Sequence, residues 1–202
     1  NSDDSLSETK QQLILYQQYD RKEVHDILDP KSKFTKGYGH WGMHGIINIK
    51  RAKGDNVFFV TFGQKQGDFT FQEKVTRNGV LTWQSQPRQN LATPIIKKFI
   101  MHDPNKHNIY LFLRTKKNDK YTYLGLLNYV SHSEEKQNPV WFEWQILDWS
   151  IDNTILKQIN LKVVADEQSQ DNNEKSVNKE NDEQSSRPLN VSDENEDSKT
   201  YQ

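Results

Sequence analysis

Residues 109–127 read Ile-Tyr-Leu-Phe-Leu-Arg-Thr-Lys-Lys-Asn-Asp-Lys-Tyr-Thr-Tyr-Leu-Gly-Leu-Leu. Two runs of aromatic, aliphatic and β-branched residues flank a polar Lys-Lys-Asn-Asp-Lys break, which predicts a β-hairpin with strands over 109–115 and 121–127. Runs of the same kind occupy 46–50, 56–62, 80–84 and 140–147, with turn-forming steps such as Gly-Asp-Asn between them. A helix over 93–101 interrupts the series, with Thr93 as its cap and Pro94 in its first turn. Six strands with few helices predict an α+β fold: a curled, mainly antiparallel sheet or small β-barrel with flanking helices. No internal repeat is evident.

The ends of the chain differ from this middle. Near the start, Leu13, Leu15 and Tyr16 follow Ser7, Glu8 and Thr9 at partly helical spacing. Asp20 is placed to cap a short helix over 21–28, which Asp29-Pro30 ends. Residues 1–30 are therefore expected to form an N-terminal helical segment, and residues 31–165 the main body. From Asp166 to Gln202 the chain is rich in Asn, Asp, Glu, Ser and Gln and carries a net charge of −7. Such a segment cannot bury enough apolar surface to offset its chain entropy, so 166–202 is expected to be a disordered acidic tail.

The tail also hides the character of the body. The whole 202-residue chain has a net charge of −1, so residues 1–165 carry +6. A moderately basic body suits a polyanionic partner, whose neutralised phosphates release counterions. An ordinary solvated surface would give the same count. The chain starts Asn-Ser-Asp-Asp without an initiator Met, so it is expected to be a piece of a longer protein. It has no cysteine and no apolar run near the roughly 20 residues of a membrane span, so a cytoplasmic location is expected.

Enzymatic motifs are weak throughout. Gly63 and Gly67 enclose Gln-Lys-Gln, but no Gly-Lys-Ser/Thr follows, so there is no phosphate-binding P-loop. Ser133-Glu-Glu-Lys136 has the Ser-x-x-Lys spacing of acylating enzymes without their companion motifs, and chance explains it. His40 and His44 are four apart, but Gly39, Gly42 and Gly45 argue against a helix there and no third ligand is evident. No catalytic group and no metal site is assigned.

Binding chemistry is better represented. Between Tyr38 and Gln86, large aromatics alternate with short amide and carboxylate side chains. Aromatic faces beside hydrogen-bonding groups suit a flat, polar heterocycle, since stacking contributes about 1–3 kcal/mol per base. In His40-Trp-Gly-Met-His-Gly-Ile46, Trp41 and His44 would line the rim of a base pocket, or the glycines serve a structural turn. In Gly63-Gln-Lys-Gln-Gly-Asp-Phe-Thr-Phe71, Asp68 could accept from the exocyclic amine of cytosine, or act as a turn residue. Trp83, Gln84 and Gln86 put an indole beside two amides, although strand alternation sends Trp83 and Gln84 to opposite faces. Arg77 and Asn78 could fill the gap left by an extruded base. Lys65, Lys74 and Arg88 would join Arg77 on the phosphate backbone.

Five segments together carry a resemblance to a known family. They are Tyr19-Asp-Arg-Lys-Glu-Val, Val57-Phe-Phe-Val-Thr, Val80-Leu-Thr-Trp-Gln-Ser-Gln, Tyr121-Thr-Tyr-Leu-Gly-Leu-Leu-Asn-Tyr-Val-Ser-His and residues 141–147. Over residues 19–149 the chain resembles the uncharacterised domain at the C-terminal end of bacterial superfamily II helicases and ATP-dependent restriction enzymes. In particular it is similar to the C-terminal region of type IV restriction enzymes of the SauUSI kind. The resemblance implies a reader of 5-methylcytosine that is not itself catalytic, within a parent chain carrying a helicase motor and a phospholipase-D-like nuclease. It implies no cofactor for this segment, and ATP and Mg for the parent chain.

A weaker similarity, through His40-Trp-Gly-Met-His-Gly-Ile and Gly-Asp-Phe-Thr-Phe, is to the SET- and RING-associated (SRA) domain, which flips 5-methylcytosine out of duplex DNA. That similarity implies an SRA/PUA-like fold, Asp68 as reading carboxylate, and Phe62 and Phe71 as stacking faces. Phenylalanines stand here where that family favours tyrosines. On this reading residues 31–165 are a modified-DNA recognition domain, and its partners are methylated double-stranded DNA and the helicase and nuclease domains of the parent chain. Two other readings stay open: a docking or regulatory domain of a helicase, and a duplex clamp indifferent to methylation.

Overall fold

The computed structural model describes residues 12–63 and 73–166. A short strand, β1 (Gln18–Tyr19), leads into helix α1 (Arg21–Leu28). Asp20 caps α1 as expected: its carboxylate accepts from the Glu23 N–H at 2.8 Å, and the Glu23 carboxylate accepts from the Asp20 N–H at 3.2 Å. This reciprocal pair satisfies two amides that the first helical turn would otherwise leave unbonded. The helical spacing of Leu13, Leu15 and Tyr16 gives no helix; Leu15 and Tyr16 form a turn.

Helix α2 (Gly39–Met43) occupies a segment whose glycines argued against a helix. The correction has a packing cause. A Cβ on Gly42 would lie 1.9 Å from the Thr35 carbonyl oxygen, so glycine there lets the single helical turn press against backbone.

Seven further strands follow: β2 (Ile46–Asn48), β3 (Asn56–Thr61), β4 (Lys74–Val75), β5 (Val80–Gln84), β6 (Ile109–Arg114), β7 (Tyr121–Gln137) and β8 (Val140–Ile146). They pair in the order β2-β3-β6-β7-β8-β5-β4, with β1 added to β7. Among the described strands, β3 and β6 run parallel and the other strand pairs antiparallel. Helices α3 (Pro94–Ile100) and α4 (Asn153–Gln158) complete the elements. Thr93 stands at the N-cap of α3, but its hydroxyl accepts from the Asn90 N–H instead of capping.

The hairpin at 109–127 forms, with Tyr110 opposite Leu126 and Leu113 opposite Thr122. β7 continues ten residues past Leu127, where its apolar run ends. Its polar second half is held by β8, pairing Asn128 with Gln145 and Ser131 with Glu143. At the other edge, β2 stops at Asn48 because the Lys50 and Arg51 amides donate to the Asp29 carboxylate at 3.1 and 3.2 Å.

β3 is buried on both faces, as strand alternation then requires. Val57 and Phe59 join Trp41, Phe112 and Tyr121 in one cluster, with Tyr19 and Val24 from the first 30 residues. Tyr19 and Val24 thus belong to the same core. Phe58 and Val60 join Trp83, Phe142 and Trp144 in the other, with Ile96 and Phe99 of α3. The rings of Phe58 on β3 and Trp83 on β5 lie 4.9 Å apart, although four ladder steps separate their strands. At about 4.8 Å per step a flat sheet would hold those strands roughly 19 Å apart. The sheet is therefore strongly curled. Its ladder ends at β2 and β4, so it is open and not a closed barrel.

Among the described residues, no helix is long and apolar enough to cross a membrane. The expected acidic tail lies outside the described residues, apart from Asp166.

Candidate functional site

Among the described residues expected to form one pocket, Trp41 and Trp83 belong to different core clusters and Gln84 stands on the outer face of β5. Trp41 is 2% exposed, with its Nε1 3.4 Å from Asp29 Oδ2 and its ring edge-on to His25. It belongs to the core and offers no face to a ligand, which corrects its assignment to a pocket rim. Trp83 is 7% exposed against Phe58 and is likewise a core side chain. Phe62 is half-buried against the same cluster. Lys65, Asp68 and Phe71 lie outside the described residues.

His44 is exposed beside α2, its Nδ1 3.1 Å from Nδ1 of His40. His40 Nε2 accepts the Asn48 N–H at 2.8 Å, and partial burial, reinforced by His44, holds its pKa below the ordinary histidine value. Gly45, next to His44, packs on the end of β5: a Cβ there would be 2.9 Å from Gln86 Nε2 and 3.6 Å from the Trp83 ring. Thus the backbone after His44 packs against Gln86 and Trp83.

Arg77 and Asn78 form the exposed turn between β4 and β5. Their carbonyls accept from Trp149 Nε1 and Gln145 Nε2, at 2.8 and 2.9 Å. The turn is fixed from below while its side chains face outward. Arg88 is exposed just past β5, at a positive φ of 70°.

A different surface has the chemistry of a site. Along β5 and β8, Leu81, Trp83, Phe142 and Trp144 point into the core, so Thr82, Gln84, Trp141 and Glu143 stand on the opposite face. Register then builds a polar row across four strands, Lys74 beside Thr82 beside Glu143 beside Ser131. Ser131 Oγ donates to Glu143 Oε2 at 3.1 Å. A groove of about 920 Å³ lies over this row, with Glu73, His132 and Trp141 in its walls. His132 is held by the Tyr129 hydroxyl, 2.7 Å from its Nδ1.

Glu73 carries the most perturbed group of the groove. Burial pushes its carboxyl up to about 7, so near neutral pH it exists both as a donor and as an acceptor. Shifts of this kind gather at functional sites, and the groove's size falls in the range of about 300–1,000 Å³ usual for ligand pockets.

Of the residues singled out from sequence, Lys74 lines the groove and Gln84 pairs across the ladder with Trp141. Glu73, Ser131, His132, Trp141 and Glu143 are not among the site residues expected from sequence. The alternation Val-Trp-Phe-Glu-Trp from Val140 already sets Trp141 and Glu143 on one face. Ser131 and His132 carried no such signal, because their place depends on β7 running past its apolar half.

Residues 13–159 match DUF3427, a domain of unknown function. The chain belongs to the DUF3427 family. This is the uncharacterised domain that the strand motifs resembled, and the match spans most of the described residues. No curated protein shows a significant match to this DUF3427 chain. Among solved structures it is similar to the SUVH5 SRA domain in complex with hemi-methylated CG DNA, at 14% identity and a TM-score of 0.45, covering 70% of this chain and 94% of that one. It is also similar to Arabidopsis thaliana SUVH6 (14% identity, TM-score 0.41, 72% of this chain and 28% of that one). A third is the DNA modification-dependent restriction endonuclease AspBHI, at 12% identity and TM-score 0.39, covering 78% of this chain and 49% of that one.

Proposed function

We propose that this DUF3427 domain is the DNA-binding target-recognition domain of a methylation-dependent, ATP-dependent type IV restriction endonuclease, and that it reads 5-methylcytosine by base flipping. One observation supports the reading above the others: a nucleotide-sized groove walled by Trp141, with the near-neutral Glu73 carboxyl and the Glu143–Ser131 pair inside it. An indole is a stacking platform, and a carboxyl that can donate or accept matches the N3–N4 edge of cytosine. In sequence, Phe71 stands two residues and Asp68 five residues before Glu73. Asp68 as a second reading carboxylate and Phe71 as a stacking face remain part of the proposal. The basic body adds salt-dependent affinity for duplex. Helicase and nuclease domains of the parent chain, with ATP and Mg, would supply translocation and cleavage.

Flipping costs a few kcal/mol, which stacking offsets. A fitted methyl pocket discriminates by about 10- to 200-fold. The test is fluorescence anisotropy of the 202-residue chain with duplexes that differ only in one 5-methylcytosine, read beside 2-aminopurine placed next to that base. Tighter methylated binding with a rise in 2-aminopurine emission supports the proposal. Equal binding of both duplexes replaces it with a methyl-blind clamp, and no binding with a docking domain.

A further inference from the structure

A second feature lies away from the groove, where the β2–β3 loop meets α3. Lys50, Lys53 and Lys98 line a hollow of about 410 Å³ whose other walls are Asn48, Ile49 and Gly54. The lysines come from the β2–β3 loop and from α3, and hydrogen bonds hold the backbone of that loop at both ends. Buried Asp29 accepts the Lys50 and Arg51 amides at 3.1 and 3.2 Å. At the other end, Ile49 and Asp55 close the loop by a backbone bond of 3.1 Å, and Asp55 accepts the Asn108 N–H at 3.0 Å. Gly54 has a φ of 105° and lets the His107 ring pack where a side chain would be.

Lys98 is aimed by a buried amide. Asn56 is fully buried, and its Nδ2 donates to the Ile47 carbonyl and to Asn48 Oδ1 at 3.0 and 2.8 Å. That leaves Asn56 Oδ1 to accept from Lys98 Nζ at 2.8 Å. The half-buried ammonium is thus held by a neutral group, and burial pulls its pKa down. Asp55 faces it, but the Asp55 carboxylate is occupied by Asn108 and lies 3.7 Å from His107 Nδ1. Three lysines thus line one hollow, and the ammonium of Lys98 has a neutral amide as its partner while the nearby Asp55 carboxylate is engaged elsewhere, an arrangement whose charge an anion would complete.

We infer that the Lys50–Lys53–Lys98 hollow binds a phosphate group, and that the phosphate belongs to the DNA backbone. The identity of the source rests on the DNA-reading function proposed above; the phosphate chemistry does not. The hollow fixes position on the duplex and carries no base or methyl preference.

The test compares the slope of log affinity against log salt for the 202-residue chain and its variants, on methylated and plain duplex. Lys50→Gln/Lys53→Gln/Lys98→Met should lower the slope by about 0.9 for each phosphate lost, equally on both duplexes. Lys50→Gln/Lys53→Gln leaves the Asn56 contact intact and should retain part of the effect if the triple variant fails to fold. A charge-matched Lys36→Gln/Lys116→Gln/Lys117→Gln variant reports bulk charge alone. In parallel, inorganic phosphate is titrated while the Gly54 amide is followed by NMR. A saturable shift in the wild type, lost with the lysines, supports the hollow. Intact DNA binding with an equal slope in the site and charge-matched variants overturns it and leaves the reading of DNA standing. Absence of DNA binding with a saturable phosphate shift keeps the anion site and rejects both the duplex source and the DNA reading. Absence of both overturns both.

Discussion

Phe58 of β3 and Trp83 of β5 meet with ring centroids 4.9 Å apart and ring planes inclined at 52°. Phe99 of α3 lies 5.3 Å from Phe58, edge-on, and Trp144 of β8 another 5.3 Å away on the same ring. Four rings from four elements thus close the concave side of the sheet. Each such pair contributes about 0.5–1.5 kcal/mol beyond area burial. The arrangement assigns Trp83 to stability and leaves Trp141, on the far face of the neighbouring strand, as the indole of the groove.

Trp83→Ala should therefore destabilise the domain by about 3–5 kcal/mol, the usual cost of removing a buried large aromatic. Urea denaturation followed by far-UV circular dichroism measures it. Methyl selectivity of the protein that remains folded should be unchanged. A variant of unaltered stability that had lost its selectivity would return Trp83 to the base pocket.

Glu73 makes a pH prediction. Its folded pKa, about 7, lies above the ordinary glutamate value of 4.5 because burial disfavours the charge. The folded state therefore holds a proton that the unfolded state releases between those two values. Stability from this group is fully present below about pH 4.5, declines as pH rises to about 7, and is flat above. Glu73→Gln should remove that decline, so wild type and variant diverge in thermal midpoint between pH 5 and pH 8, with the variant higher at pH 8. Parallel curves would show that Glu73 titrates normally.

Asp29 ties the β2–β3 loop to α2 through three donors: the Lys50 and Arg51 amides and the Trp41 indole N–H. Asp29→Ala leaves all three without their carboxylate, and should cost about 3 kcal/mol, since one hydrogen bond to a charged group contributes about 1.5–3 kcal/mol. Hydrogen exchange should quicken at the Lys50 and Arg51 amides before it does in β3. Uniform quickening across the sheet would instead mean that Asp29 supports the fold as a whole.

Base reading predicts a division among groove variants. Trp141→Ala and Asp68→Ala should each bring methylated and plain duplex to the same affinity, with Trp141→Ala also losing about 1–3 kcal/mol of binding through stacking. Lys74→Ala should weaken both duplexes alike and flatten the salt dependence. Equal loss on both duplexes for Asp68→Ala would remove Asp68 from the reading of the base.

The hairpin at 109–127, the strand at 80–84 and the Asp20 cap were legible because each is a local event. A polar break between apolar runs, or an acceptor just before a helical turn, declares itself within a few residues. The extension of β7 was not, because Ser131 and His132 become strand only where β8 supplies hydrogen-bond partners. Aromatic content also misled locally. Trp41 and Trp141 look alike in a list of aromatics, yet one is buried against His25 and Phe59 while the other lines the groove.

Sequence by itself determined the hairpin at 109–127, the strand at 80–84, the capped helix over 21–28, the mainly antiparallel α+β class and the family, because periodicity, turn chemistry and capping act over short stretches of chain. Tertiary structure alone decided which aromatics are core, that Glu73, Ser131, Trp141 and Glu143 share one groove, and that Lys98 joins Lys50 and Lys53. The curl of the sheet and the buried bonds of Asp29 and Asn56 join residues far apart in sequence. Such long-range register leaves no mark in any single local pattern.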